Sequence, residues 1–153
     1  ARRTFYKTTS PSMDILISSN LERLLYHVSG SSEKVAGWMQ ELSATGKYTV
    51  DAETLAKIQQ SFAAGYADDA DGAAEIKARF DGDHYLCDTH TAVAFRVAET
   101  RRTDAPMVVL STASPFKFPR DVLTALGVEA PASDFAAMAA LTAGTGAEAP
   151  AAA

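Results

Sequence analysis

Residues 106–111, Pro-Met-Val-Val-Leu-Ser, constrain this chain more than any other stretch. They form a short β-branched apolar run bounded by Pro and polar residues, the pattern of a strand buried on both faces. A buried strand of the parallel type carries N–H and C=O groups along both edges, and each edge needs a neighbour. The rest of the sequence supplies only amphipathic helices. The expectation is a predominantly helical segment with one strong strand, belonging to a sheet whose other strands lie outside this chain.

The helices are read from spacing. Residues 1–11 look extended, punctuated by Ser10-Pro11-Ser12. Ser19 and Glu22 then have the spacing of a capping box, ahead of Leu21, Leu24, Leu25 and Val28 on one face and a stop at Gly30. A second helix starts near Ser32, with Val35, Trp38, Met39 and Leu42 as its core stripe, and ends at Gly46. Asp51 caps a third, with Leu55, Ile58 and Phe62 inward and Gly65 as its stop. Short helices are expected at 73–80 and about 89–100, the second with Ala92, Val93, Phe95 and Val97 as its apolar content. After the strand come a tight turn at 112–115 and a helix from Pro119 through Leu126, closed by Gly127. A last helix is capped by Ser133, and beyond Thr142 the Ala/Gly/Pro-rich composition reads as a disordered tail.

Composition narrows the function. The chain has 153 residues and a formal charge of -5, with no basic stripe for nucleic acid or an anionic membrane. It has no long apolar run and no signal-peptide pattern. Cys87 is its one cysteine, so no intrachain disulfide forms, in keeping with a reducing compartment. The chain opens at Ala1 without Met, which suggests a fragment.

Few residues have the pattern of a reaction centre. His27, His84 and His90 match no zinc spacing. The acidic run 68–72 fails as a calcium loop, because alignment on Asp69, Asp71 and Gly72 puts Ala67 and Ala78 at ligand positions. No metal site is expected. His84 reads as a surface residue, Cys87 as half-buried, and His27 as a cation placed at a helix end. The best candidate is the end of the strand, where Ser111, Thr112 and Ser114 offer hydroxyls. Ligands of open α/β sheets bind outside the carboxyl ends of strands. An ordinary strand-end turn with a helix cap is the alternative.

Four segments carry a resemblance. Residues 9–25, Thr-Ser-Pro-Ser-Met-Asp-Ile-Leu-Ile-Ser-Ser-Asn-Leu-Glu-Arg-Leu-Leu, resemble the S-P-S-M-D-I…S-S-N-x-E-R-L segment of threonine synthases. Thr45-Gly46-Lys47-Tyr48 resembles a later segment of that family. Residues 88–94, Asp-Thr-His-Thr-Ala-Val-Ala, resemble its D-P-H-T-A-V motif, with Thr89 in place of Pro. Residues 110–119, Leu-Ser-Thr-Ala-Ser-Pro-Phe-Lys-Phe-Pro, resemble its S-T-A-x-P-x-K-F-P motif. The four run in register from Thr9 to about Gly127. The patterns of threonine dehydratase and tryptophan synthase β are different.

The resemblance implies the carboxy-terminal segment of a pyridoxal-phosphate enzyme that converts O-phospho-L-homoserine and water to L-threonine and phosphate. It implies an α/β, three-layer, tryptophan synthase β-like architecture known as fold type II. Residues 1–128 would be the carboxy-terminal part of that catalytic fold, and 129–153 a terminal helix and tail. The Schiff-base lysine and the glycine-rich phosphate loop would lie in the missing amino-terminal part, the segment's main partner. No catalytic residue is expected here, and Lys34, Lys47, Lys57, Lys77 and Lys117 do not occupy the lysine motif. The isolated segment should be inactive. Thr112 matches the hydroxyl that meets the pyridine nitrogen of pyridoxal 5'-phosphate, with Ser111 and Ser114 as second choices. Asp14 and His90 fall in family motifs and are expected to make structural bonds; Lys117 is a weaker candidate for a ligand role. The family points to the cytoplasm. The alternative is a non-catalytic helical binding domain derived from the same fold.

Overall fold

The computed structural model describes residues 4–151. Seven α-helices follow in order: α1 Ser19–Ser29, α2 Ser32–Thr45, α3 Ala52–Gln59, α4 Asp69–Asp83, α5 Thr89–Glu99, α6 Pro119–Ala125 and α7 Asp134–Thr145. Two 3-10 turns, Pro11–Met13 and Pro115–Lys117, complete the regular structure.

The chain divides into two compact units. The smaller contains Asp14–Ala64, with residues 4–6. Its core is Leu25, Val35 and Trp38, flanked by Met39, Tyr48, Val50 and Ile58. Helix α1 is capped by Ser18, one residue before the Ser19 of the capping-box reading, and its Oγ accepts from the Leu21 N–H. Gly30 stops it at φ 65, the left-handed region that favours glycine. Asp51 caps α3 as expected, and its Oδ1 accepts from the Thr54 N–H at 2.9 Å. That helix ends at Gln59, well short of Gly65. Phe62 therefore lies beyond it and is exposed, as is Leu55, while Thr54 takes the buried position.

The larger unit contains Lys7–Met13 with residues 65–151. Ile76, Cys87, Ala92, Phe116, Val122, Leu123, Ala137 and Leu141 form its core. Helix α4 begins inside the acidic run, because Asp68 caps it by accepting from the Asp71 N–H at 2.8 Å. A carboxylate at a helix start is favoured by the free N–H groups and the dipole. Helix α7 continues through Thr145 to a left-handed Gly146, beyond the expected Thr142 limit. Buried Ala137 and Leu141 hold it against the core.

The expected strand does not form. Among the described residues there is no strand, and 106–112 run without regular structure. The apolar run suggested a buried strand, but a strand exists only as part of a ladder. No described segment pairs with this one. Its side chains are consequently exposed, Val108 at 80% and Leu110 at 74%.

Candidate functional site

Two of the motif segments meet around one buried carboxylate. Asp88 is the N-cap of α5 and is fully buried. Its Oδ1 accepts from the His90 N–H at 2.8 Å and the Thr91 N–H at 3.4 Å. Its Oδ2 accepts from the Thr91 hydroxyl. The His90 ring, 4% exposed, places Nδ1 3.1 Å from Asp88 Oδ1. The other ring nitrogen, Nε2, accepts from the Ser12 N–H at 3.1 Å. Ser10 Oγ donates to the Thr89 carbonyl at 3.1 Å. Thr9 adds two bonds to Asp69 Oδ1, from its N–H at 2.9 Å and its hydroxyl at 3.0 Å.

These bonds assign the tautomer of His90. A nitrogen that accepts from an amide N–H carries no proton, so the proton of the neutral ring sits on Nδ1 and faces Asp88. Nε2 is occupied by Ser12 and has no lone pair left for proton transfer. The structural bond expected of His90 is thus present, and the Asp88–His90 pair is not a catalytic dyad. Cys87, beside it, is more buried than the half-buried state expected, at 1% exposure. Burial, and after it the Asp88 charge, pushes its thiol up to about 12. It is held as an inert thiol, because the thiolate is the reactive form.

The third motif lies at the start of the turn Pro115–Lys117. Ser114 caps that turn, its Oγ accepting from the Phe116 N–H at 3.2 Å. Its Oγ is held in place by that bond while its O–H remains free to donate. Ser111 and Thr112 are exposed, and their hydroxyls make no hydrogen bond with any described residue. Phe116 is buried in the core, and the Phe118 ring lies 4.7 Å from the His90 ring, centre to centre. Lys117 is exposed, with Nζ 5.7 Å from the centre of the Phe118 ring. The residues sequence reasoning missed are Asp88 and Ser12. Asp88 was legible as a helix cap from its place before Thr89-His90-Thr91; Ser12 contributes only a backbone N–H, which no side-chain pattern reveals.

Among the described residues no three His, Cys, Asp or Glu side chains gather as a metal site. None of the described helices is long and apolar enough to cross a membrane.

Fold and motifs define a helical segment of two compact units. A family model described as threonine synthase, C-terminal, matches residues 91–144. Threonine synthase of Pseudomonas aeruginosa is 38% identical over 84% of this chain and 28% of its own length. That of Schizosaccharomyces pombe is 34% identical over 78% of this chain and 26% of its own length. A crystal structure of PLP-bound threonine synthase from Brucella melitensis superposes with a TM-score of 0.79 at 43% identity, covering 90% of this chain and 30% of that one. The chain belongs to the threonine synthase family and is homologous to its carboxy-terminal segment. It spans between a quarter and a third of the length of these relatives.

Proposed function

We propose that this chain is the carboxy-terminal segment of an enzyme converting O-phospho-L-homoserine and water to L-threonine and phosphate with pyridoxal 5'-phosphate. The observation that carries the reading is the 0.79 superposition on a PLP-bound threonine synthase at 43% identity. In the intact protein, residues 1–128 would contribute to a fold type II catalytic fold. Residues 129–153 would be its terminal helix and tail. The reading places the protein in the cytoplasm.

The residues present fit one end of the cofactor. Thr112 offers an exposed hydroxyl with no partner among the described residues, and no carboxylate stands between 105 and 120. A neutral hydroxyl suits an unprotonated pyridine nitrogen, whereas a carboxylate would hold the ring protonated. The cofactor supplies the electron sink for the reaction. Thr112 would donate to the ring nitrogen and orient the ring. Ser111 stands next to it as a second donor, and Ser114, whose Oγ accepts the Phe116 N–H, keeps its own O–H as a third. The lysine that binds the cofactor covalently would come from elsewhere in the intact protein, so this segment alone would be inactive.

The test is made on the intact protein carrying this segment. Pyridoxal phosphate and O-phospho-L-homoserine should yield one threonine per phosphate released; no phosphate release refutes the reading. Thr112→Val removes the hydroxyl and keeps the shape, a loss of about 1–3 kcal/mol. Cofactor affinity, read by absorbance titration, should fall roughly tenfold to hundredfold. Thr112→Asp should be worse. Parent-like binding by Thr112→Val would transfer the role to Ser111.

A further inference from the structure

The imidazole of His90 touches two motif segments from a third. Its Nε2 accepts from the Ser12 N–H, in the 3-10 turn Pro11–Met13. Its face meets Phe118, the residue that closes the turn Pro115–Lys117 by donating its N–H to the Pro115 carbonyl. That turn begins at Ser114, two residues after Thr112. Asp88 sets the ring's angle through Nδ1 and is itself locked by the α5 backbone. The ring is 4% exposed and all its polar atoms are partnered, so its orientation is over-determined. A surface imidazole with one hydrogen bond would place nothing.

We propose that His90 is a positioning residue that, as the Nδ1–H tautomer, fixes the Ser10–Met13 turn relative to the Pro115–Lys117 turn and so to the nearby Thr112. The inference rests on the proposed role of Thr112. Its geometric half stands apart from that role, because the tautomer and the two contacts belong to this chain alone. The reasoning parallels metal-site histidines, where the partner of one nitrogen decides what the other can do. Here the ring's acceptor nitrogen serves a backbone N–H instead of a substrate.

Two near-isosteres separate the ring's jobs. The Asn amide nitrogen falls near the place of Nδ1, so His90→Asn keeps the donor to Asp88 and loses the acceptor for Ser12. The Gln amide oxygen reaches the place of Nε2, so His90→Gln keeps the acceptor and loses the donor. Both variants should lower the melting temperature of the intact protein. His90→Asn should also weaken pyridoxal-phosphate binding roughly tenfold, equivalent to about 1.4 kcal/mol. His90→Gln keeps the hold on the Ser12 N–H but, like His90→Asn, lacks the ring face on Phe118, so its loss should be clearly smaller than that of His90→Asn, a partial rescue that general destabilisation does not produce. Equal binding by both variants and the parent overturns the proposal, and so does equal loss in both. Nitrogen-15 spectra of the histidine-labelled protein give a readout independent of the cofactor. An unprotonated Nε2 at His90 is expected, and a protonated Nε2 overturns the proposal whatever the cofactor does. A parent that binds no pyridoxal phosphate sinks the proposed function, while the nitrogen-15 result still decides the tautomer.

Discussion

The two units of this chain manage their apolar residues differently. The larger one buries Ile76, Val122, Leu123 and Leu141 to 1% exposure or less, around a polar network in which Asp88 and Thr91 are equally buried. Among its described residues the smaller buries three apolar side chains, Leu25, Val35 and Trp38, and leaves Ile15, Leu16 and Ile17 more than half exposed. Amphipathic helices alone do not make a self-sufficient core. The larger unit succeeds because α4, α6 and α7 close around one cluster and because each buried polar group is paired.

Core truncation tests this contrast most strongly. Leu123→Ala should cost about 2–5 kcal/mol, the range for deleting a fully buried leucine. Leu25→Ala should fall at the low end of that range, because its cluster has fewer neighbours to leave a rigid cavity. Chemical denaturation of both variants measures the difference, and a larger cost for Leu25→Ala would reverse the comparison.

Ion pairs should show the same ordering. Arg79 bonds Glu75 at 2.7 Å, Asp83 at 3.0 Å and Glu99 at 3.0 Å, and its guanidinium lies 5.0 Å from the Phe95 ring centre. Arg79→Ala leaves the buried Glu75 charge without its cation and should cost about 2–3 kcal/mol. In the smaller unit, Lys34 and Asp51 pair at 3.1 Å in solvent. Lys34→Ala should leave stability unchanged within measurement.

The buried thiol adds a pH dependence. Cys87 titrates at about 12 in the folded protein, against 9.0 for an ordinary thiol. Between those values the unfolded chain loses a proton that the folded one keeps, so stability falls as pH rises through the window. By pH 10 this thiol should account for a loss of about 1.4 kcal/mol relative to neutral pH. Stability profiles of the parent and Cys87→Ala should diverge above pH 9, and parallel profiles would refute the assignment. A smaller loss is expected at Gly30, in the smaller unit. An alanine at φ 65 is strained, and Gly30→Ala should cost about 1 kcal/mol by thermal melting.

Much of the local structure was legible. Asp51 caps α3 as read, and glycines stop α1 and α2, because capping is chemistry within a few residues. The errors have physical reasons. The start of α4 was mistaken for a loop because a run of aspartates looks solvated, although carboxylates suit a helix N-terminus. Phe62 was placed inward on periodicity, but the helix stops before it. Of the candidate site, the position of Thr112 was legible from its motif. That Ser114 Oγ accepts the Phe116 N–H, while Ser111 and Thr112 have no partner among the described residues, needed coordinates.

By itself the sequence determined that there are helices in these seven places, some of their stops, and the family. Those depend on contacts within one or two turns, or on residues read in order. Tertiary structure decided the rest: which half of the chain has a closed core, which nitrogen of His90 carries the proton, and that Val108 and Leu110 stand exposed. A strand is a property of a pair. Residues 106–111 encode the side chains for one, but a β-ladder needs hydrogen-bonding partners, and no described residue supplies them.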